Sequence, residues 1–343
     1  MNIGLLGFGV VGGGVWELAQ ENRALNVKKV LVRREAPSLG KAAVQDVEAI
    51  LRDTEIDTVV EVLGGLHPAY EWICRALAAG KDVVTANKAV ISAYYRELTA
   101  LARENGVALR CTAAVGGGIP WLVNLQRCRR VDTVTEVGGI MNGTTNFIMD
   151  AMARQGADFP AVLQRAQELG YAEADPSADI DGDDIRRKLT ISANIAFDAL
   201  LREEDIPAFG IRTVTGADVA DFRAHGFTCK LLACAQRTET GVAAYVEPAL
   251  VAEGEPEAAV PGNYNLISCT GELLGRQSYF GQGAGRYPTA ANVVQDCLDL
   301  LTGEDGFYTE TARPMAVEAD AVAHPYYCLL YTSPSPRDVE ESR

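Results

Sequence analysis

The sequence predicts an α/β protein, in which an N-terminal doubly wound parallel sheet is followed by an α+β domain. Three observations carry this. Short apolar strand-like runs alternate with amphipathic helical stretches up to Pro120, the pattern of a parallel sheet with helices on both faces. The first of these runs passes through a glycine-rich turn directly into a helix. After Pro120 the alternation stops, and strands of mixed polarity take over among longer helices.

Residues 2–19, NIGLLGFGVVGGGVWELA, begin with an apolar strand, turn through Gly7-Phe8-Gly9-Val10-Val11-Gly12 and continue as a helix. In a G-x-G-x-x-G placed this way the first glycine allows the tight turn and the second lets the backbone approach a pyrophosphate. The third permits close helix–strand packing, and the helix N-terminus favours negative charge. A glycine-rich turn that binds nothing is the bland alternative, but it would need its flanking strand and helix by coincidence. The reading is a Rossmann-type dinucleotide-binding domain, with these six residues against the cofactor. The second strand, KKVLVRR, is expected to end near Arg33 and Arg34, where an NAD-binding domain carries an acid for the ribose 2′-hydroxyl. Two arginines suit the 2′-phosphate of NADP, or are simply solvated charges; NADP is favoured over NAD.

IDTVVEVLGG (56–65) and KDVVTANK (81–88) read as buried strands separated by the helix AYEWICRALAAG, and GVALRCTAAVGGG (106–118) adds another after the helix YYRELTALARENG. Ligands of such sheets bind beyond the carboxyl ends of the strands. Gly64, Gly65, Lys88 and the VGGG stretch at 115–118 all lie there, which makes Lys88 a candidate active-site cation.

In the second domain, VDTVTEVGGIMNGTTNFIMDAMARQG supplies a strand, a Gly-Asn-Thr turn and a helix, and CKLLACAQRT, GVAAYVEPAL and ELLGRQSYFG (272–281) read as strands. Between them GYAEADPSADIDGDDIRRKL packs Glu173, Asp175, Asp179, Asp181, Asp183 and Asp184 ahead of Arg186, Arg187 and Lys188. A calcium loop would need a bidentate acid where Lys188 stands, so the EF-hand reading fails. A solvated acidic turn accounts for some of these carboxylates. Asp184 and Lys188, however, are spaced i,i+4 in a helix expected from about Asp183 to Leu201, and can hold each other. GAGRYPTAANVVQDCLDLL then forms a loop and a helix returning to the first domain.

The chain has 343 residues, 48% of them hydrophobic, and a net charge of −15, which argues against nucleic acid or an anionic membrane as partner. No apolar run reaches membrane-spanning length and no secretory leader is evident, so a cytoplasmic location is expected. The eight cysteines form no C-x-x-C and read as reduced, mostly buried thiols, while three histidines leave little for a His-based triad or metal site.

Seven segments together, GLLGFGVVGGGV, VLVRR, VVTANKA, AAVGGGIP, GGIMNGTTNFI, GYAEADPSADIDGDDIRRKL and GAGRYPTA, resemble the homoserine dehydrogenase family in order over roughly residues 1–315. Members of that family interconvert L-homoserine and L-aspartate 4-semialdehyde with NAD(P), on the route to threonine, methionine and isoleucine. The resemblance implies that Lys188 is the proton donor and acceptor, with Asp184 and Lys88 beside the reacting oxygen. It implies further that Glu173 binds the substrate amino group and that Asp175, Asp179, Asn142, Gly143 and Thr144 shape the substrate pocket. Gly283 would reach back to the cofactor, and the protein would be a homodimer. Its domains would be 1–130, completed by the helix at about 286–303, for the cofactor, and 131–285 for substrate binding, catalysis and dimerisation.

Two departures from the family stand out. Thr112 occupies the place of a glutamate that helps hold Na+ or K+ with carbonyls matching Val115, Gly117 and Ile119, so this cation site is expected to be weak or empty. After Tyr326-Tyr327 the chain does not continue into a regulatory domain, and residues 329–343 are expected to form a disordered or non-native tail. Two other functions compete. A phosphorylating semialdehyde dehydrogenase would need a nucleophilic cysteine, with Cys111 the candidate. A non-catalytic NAD(P)H-binding sensor would have no use for the lysine and carboxylates.

Overall fold

The computed structural model describes residues 1–309, 311–318, 321–323 and 325–327; the expected tail at 329–343 lies outside the described residues. The first sheet is built from β1 (Asn2–Leu6), β2 (Asn26–Leu31), β3 (Ala43–Val44), β4 (Thr58–Glu61), β5 (Asp82–Thr85) and β6 (Leu109–Arg110), interleaved with α1 (Val10–Gln20), α2 (Glu48–Leu51), α3 (Ala69–Ala78) and α4 (Lys88–Glu104). The strands run parallel in the order β3-β2-β1-β4-β5-β6, so the chain winds outwards from β1 in both directions. Strands that short and apolar are stable only when covered on both faces. Leu5, Val59, Val60, Val83 and Val84 are fully buried.

The turn from β1 into α1 has the geometry anticipated for its glycines. Gly7 has φ +109°, which side chains rarely adopt. A Cβ on Gly12 would lie 2.2 Å from the Gly7 carbonyl oxygen, so only glycine lets the helix pack this closely on the strand.

The second part contains α5 (Trp121–Arg129), β7 (Val134–Ile140), α6 (Gly143–Gln155), α7 (Phe159–Glu168), α8 (Ser177–Ile180), α9 (Asp183–Phe197), α10 (Gly216–Ala224), β8 (Phe227–Arg237), β9 (Gly241–Ala252), β10 (Tyr264–Gly271) and β11 (Gly275–Gln282). It is followed by α11 (Arg286–Leu301) and β12 (Ala316–Val317). The second sheet has the order β11-β10-β7-β8-β9-β12, antiparallel except for the last pair. α6 and α9 pack on one face of it, and α11 returns to lie against α1 of the first sheet.

Several boundaries differ from the sequence reading, each for a local reason. β2 ends at Leu31, before Arg33 and Arg34. The strand expected over 106–118 is only Leu109–Arg110. There Arg110 is buried and bonded to Asp296 and Asp299 of α11, and Thr112 to Asp296, so the chain leaves the sheet to follow those partners. The strand expected to start at 272 starts at Gly275, because the Asp132 carboxylate accepts the amides of Leu273 and Leu274 and holds them in a turn. α9 stops at Phe197, where Asp198 takes a left-handed conformation at φ 53°. α10 and β10 were not anticipated at all. β10 forms the rungs between β7 and β11, and its Asn265, Ser268 and Thr270 interrupt the apolar run a buried strand would show.

Candidate active site

The carboxyl ends of the first sheet face the second part of the chain across a cleft of about 630 Å³. Val10, Val11, Lys88, Ala113 and Ala114 line one side, Asn142, Gly143, Thr144, Glu173, Asp179, Asp184 and Lys188 the other, and Gly283 and Thr289 close the end. A larger hollow of about 1000 Å³ lies on the outer face of the second sheet, but neither α4 nor α9, which carry Lys88 and Lys188, contributes to it.

At the centre of the cleft Asp184 bridges two lysines. Its Oδ2 lies 2.7 Å from the Lys188 Nζ and its Oδ1 2.9 Å from the Lys88 Nζ. α9 supplies the first contact through its i,i+4 spacing. The second comes from the opposite side, where Lys88 is the first residue of α4 and the Asn87 side chain caps that helix by accepting from the Val90 amide. Lys188 also donates to the Met141 carbonyl at 2.7 Å. Two of its three N–H bonds are thereby placed, and no described residue engages the third.

Asn142 organises the other side. It caps α6 by accepting the Thr145 amide at 2.8 Å, and its Nδ2 donates to Asp179 Oδ1 at 2.7 Å and to Asp184 Oδ2 at 2.8 Å. Thr144 donates to the Tyr171 carbonyl and ties the acidic loop to the same helix.

Charges follow from these contacts. Burial pushes the Asp184 carboxyl up, but the ammoniums of Lys188 and Lys88 and the bonds from Lys188 and Asn142 outweigh it and hold the group well below the usual carboxylate range. Asp179 goes the other way, raised by burial and then by the charge of Asp184. For Lys88 the effect of Asp184 exceeds that of burial, and its ammonium titrates higher than usual. The Asp184 carboxylate stands between the two ammoniums and contacts both.

The six clustered carboxylates divide in two. Glu173, Asp179 and Asp184 line the cleft. Asp183 pairs with Arg186, Asp181 with Arg212, and the exposed Asp175 accepts the Ser177 amide at 3.1 Å in an Asx turn just before α8, away from the cleft lining. Among the cofactor candidates, Val10 and Val11 line the cleft, whereas Gly64 and Gly65 form an exposed loop whose Gly65 carbonyl accepts from Asn87. Arg33 and Arg34 are exposed just beyond β2, and Gly7 is tied to that strand end by its amide bond to Leu31. Cys111 is buried outside the cleft lining, and burial, then the charge of Asp296, push its thiol up, against formation of a nucleophilic thiolate.

Sequence reasoning missed Glu61 at the end of β4. Its carboxylate accepts from Thr85 Oγ1 at 2.5 Å and from the Leu63 amide at 2.7 Å, with Asn87 Nδ2 at 3.4 Å. An acid inside the apolar run TVVEV was the available signal. Asn292 was missed as well, without any signal in its own neighbourhood.

The homoserine dehydrogenase family model matches residues 120–298, and the model of the NAD-binding domain of homoserine dehydrogenase matches residues 7–112. The homoserine dehydrogenase of Synechocystis is 40% identical, over 96% of this chain and 79% of that enzyme. The chain belongs to the homoserine dehydrogenase family. The Bacillus subtilis homoserine dehydrogenase is 36% identical, over 88% of this chain and 73% of that enzyme. The crystal structure of a homoserine dehydrogenase from Thiobacillus denitrificans superposes with a TM-score of 0.86 at 38% identity, covering 94% of this chain and 78% of that one. The family's α/β architecture, a parallel NAD-binding sheet beside a second mixed sheet, is the one described above.

Proposed function

We infer that this protein is a homoserine dehydrogenase that interconverts L-homoserine and L-aspartate 4-semialdehyde with lysine acid–base catalysis. The observation that carries the reading is the Lys188–Asp184–Lys88 bridge, centred on the buried Asp184, in a cleft that also reaches the glycine turn of the first sheet. The glycine turn and the α1 N-terminus fit a dinucleotide pyrophosphate, and Phe8, Gly9, Val10, Val11 and Gly283 would lie along it. NAD(P), when bound, supplies or accepts the hydride.

The chain's own residues supply the rest. Reduction of an aldehyde needs a proton for the developing alkoxide and stabilisation of its charge. Lys188 has one uncommitted N–H to give, is oriented by Asp184 and Met141, and takes the proton back in the oxidative direction. Lys88 adds a second positive charge beside the reacting oxygen, and Asp184 holds both ammoniums in place. Glu173 and Asp179 offer carboxyl groups for the substrate ammonium, while Asn142, Gly143 and Thr144 form the wall behind it. Asp175 acts on the pocket only indirectly, by holding the turn that leads into α8.

Arg33 and Arg34 support a preference for NADP over NAD, since both are exposed past the strand whose end faces the ribose in this fold. The division of labour is 1–130 with α11 for the cofactor and 131–285 for substrate and for pairing into a homodimer. The open face of the second sheet, with the exposed Phe280 stacked on Tyr264 beside Leu266 and Leu232, supports that pairing. No helix among the described residues is long and apolar enough to cross a membrane, which fits the expected cytoplasmic location. The test is homoserine oxidation, followed as NADPH and NADH formation in separate assays; no turnover with either would overturn the reading, and tight cofactor binding without turnover would favour the sensor.

A further inference from the structure

The resemblance places Na+ or K+ among the carbonyls of Val115, Gly117 and Ile119, balanced by an acid at position 112. The residues present do not fit that ion. Asn292 on α11 is buried, and its Nδ2 donates to the Gly117 carbonyl at 2.6 Å and to the Ile119 carbonyl at 3.0 Å. Two acceptors face the carboxamide at once, so its nitrogen rather than its oxygen must point at them. An ion holding both oxygens would need the space this nitrogen fills.

Position 112 carries a matching change. Thr112 donates to Asp296 from its backbone nitrogen at 2.8 Å and from its hydroxyl at 2.7 Å, and Asp296 stands one helical turn after Asn292. Asp296 is itself paired with Arg110. A neutral amide in place of a cation and a neutral hydroxyl in place of a carboxylate leave the local charge unchanged. Either substitution alone would leave a buried charge without its partner.

We propose that the Asn292 carboxamide takes the place of the monovalent cation, so that the 115–119 loop is held to α11 without Na+ or K+. The loop matters because the Gly118 amide bonds the Gln282 carbonyl, joining it to the 282–285 segment that closes the cleft. The dehydrogenase reading is needed only for this link to the cleft. The contacts themselves stand apart from it.

The test measures Tm for the wild type, Asn292→Ala and Thr112→Glu/Asn292→Ala in sodium, potassium or choline chloride at constant ionic strength, with homoserine oxidation read alongside. The wild type is expected to melt at the same temperature, and to turn over at the same rate, in all three salts. Asn292→Ala, which takes the amide donor from the Gly117 carbonyl and leaves the Ile119 carbonyl with the Trp121 amide alone, is expected to melt on the order of 2–5 °C lower. The double variant should gain Tm saturably in sodium or potassium over choline. A wild-type Tm that rises saturably with either ion, an Asn292→Ala protein that melts like the wild type, or a double variant indifferent to both ions would each overturn the proposal. Should the double variant fail to fold in every salt, the wild-type titration and the single variant still decide. A wild type without homoserine activity but with the expected Tm pattern would sink the functional reading and leave the proposal standing.

Discussion

Asp184 is fully enclosed and touches two lysines and an amide, so its replacement has consequences that a surface ion pair would not have. Its carboxyl is held low, so its contribution to stability is fully present above the ordinary carboxylate pKa and is lost only as pH falls through the lowered value. Lys88 is raised, so its share is present below the ordinary lysine pKa and is lost as pH rises beyond the raised one. The bridge is therefore intact over the whole neutral range. Asp184→Asn should lower both Tm and kcat, because it leaves two ammoniums facing each other; unchanged Tm would show that the bridge is relaxed by solvent. Lys188→Ala is the sharper experiment. Removing a positioned acid–base group costs about 10² to 10⁴ in rate, and the variant should lose at least about a hundredfold in kcat while keeping its affinity for NADPH, since the first sheet holds the cofactor. Near-normal turnover would move the proton transfer to Lys88 or to water.

Among the elements, the ends of β4 and β5 and the start of α4 meet at Glu61, whose bonds to Thr85, Leu63 and Asn87 fix the loop before Lys88. Burial pushes its carboxyl up to about 7, against the lowering effect of those bonds, from 4.5 in the unfolded chain. The folded protein thus holds a proton that the unfolded chain has lost. The stability this provides is complete below pH 4.5 and disappears as pH rises through about 7. A shift of this size corresponds to roughly 3 kcal/mol. Glu61→Gln should flatten that part of the profile, measured as unfolding free energy in urea at pH 5 and pH 8; an unaltered slope would assign the effect to other groups. At the end of β2, Arg33→Asp should shift selectivity towards NAD, through repulsion of a 2′-phosphate and a new acceptor for the ribose hydroxyls. A wild type that already prefers NAD tenfold in kcat/KM would contradict the role given to both arginines.

For the molecule as a whole, α11 returns from the second part of the chain to pack on α1 and to anchor Arg110 and Thr112, tying the two sides of the cleft together. The two walls of the cleft are thereby held facing each other. The open face of the second sheet should be covered by a second copy, and sedimentation at micromolar concentration should give twice the chain mass; a fully active monomer would dismiss the dimer.

The glycine turn, the strand–helix alternation and the Asp184–Lys188 pair were all legible in the sequence. Each depends on residues near one another in the chain, where backbone geometry and helical periodicity dictate what can meet. By itself the sequence determined a dinucleotide-type sheet, a second domain of different architecture and a lysine–carboxylate helix. Which of the six carboxylates would face the cleft was not legible, since Asp181 and Asp175 turn away only because Arg212 and the α8 amide at Ser177 lie where they do. Nor could periodicity show that Lys88 would reach Asp184 from another helix, that Arg110 would end its strand early, or that Asn292 would fill a pair of carbonyls far away in the chain. Those outcomes were decided by the tertiary structure, because a buried charge or carbonyl must find a partner wherever the packed elements bring one within hydrogen-bond reach.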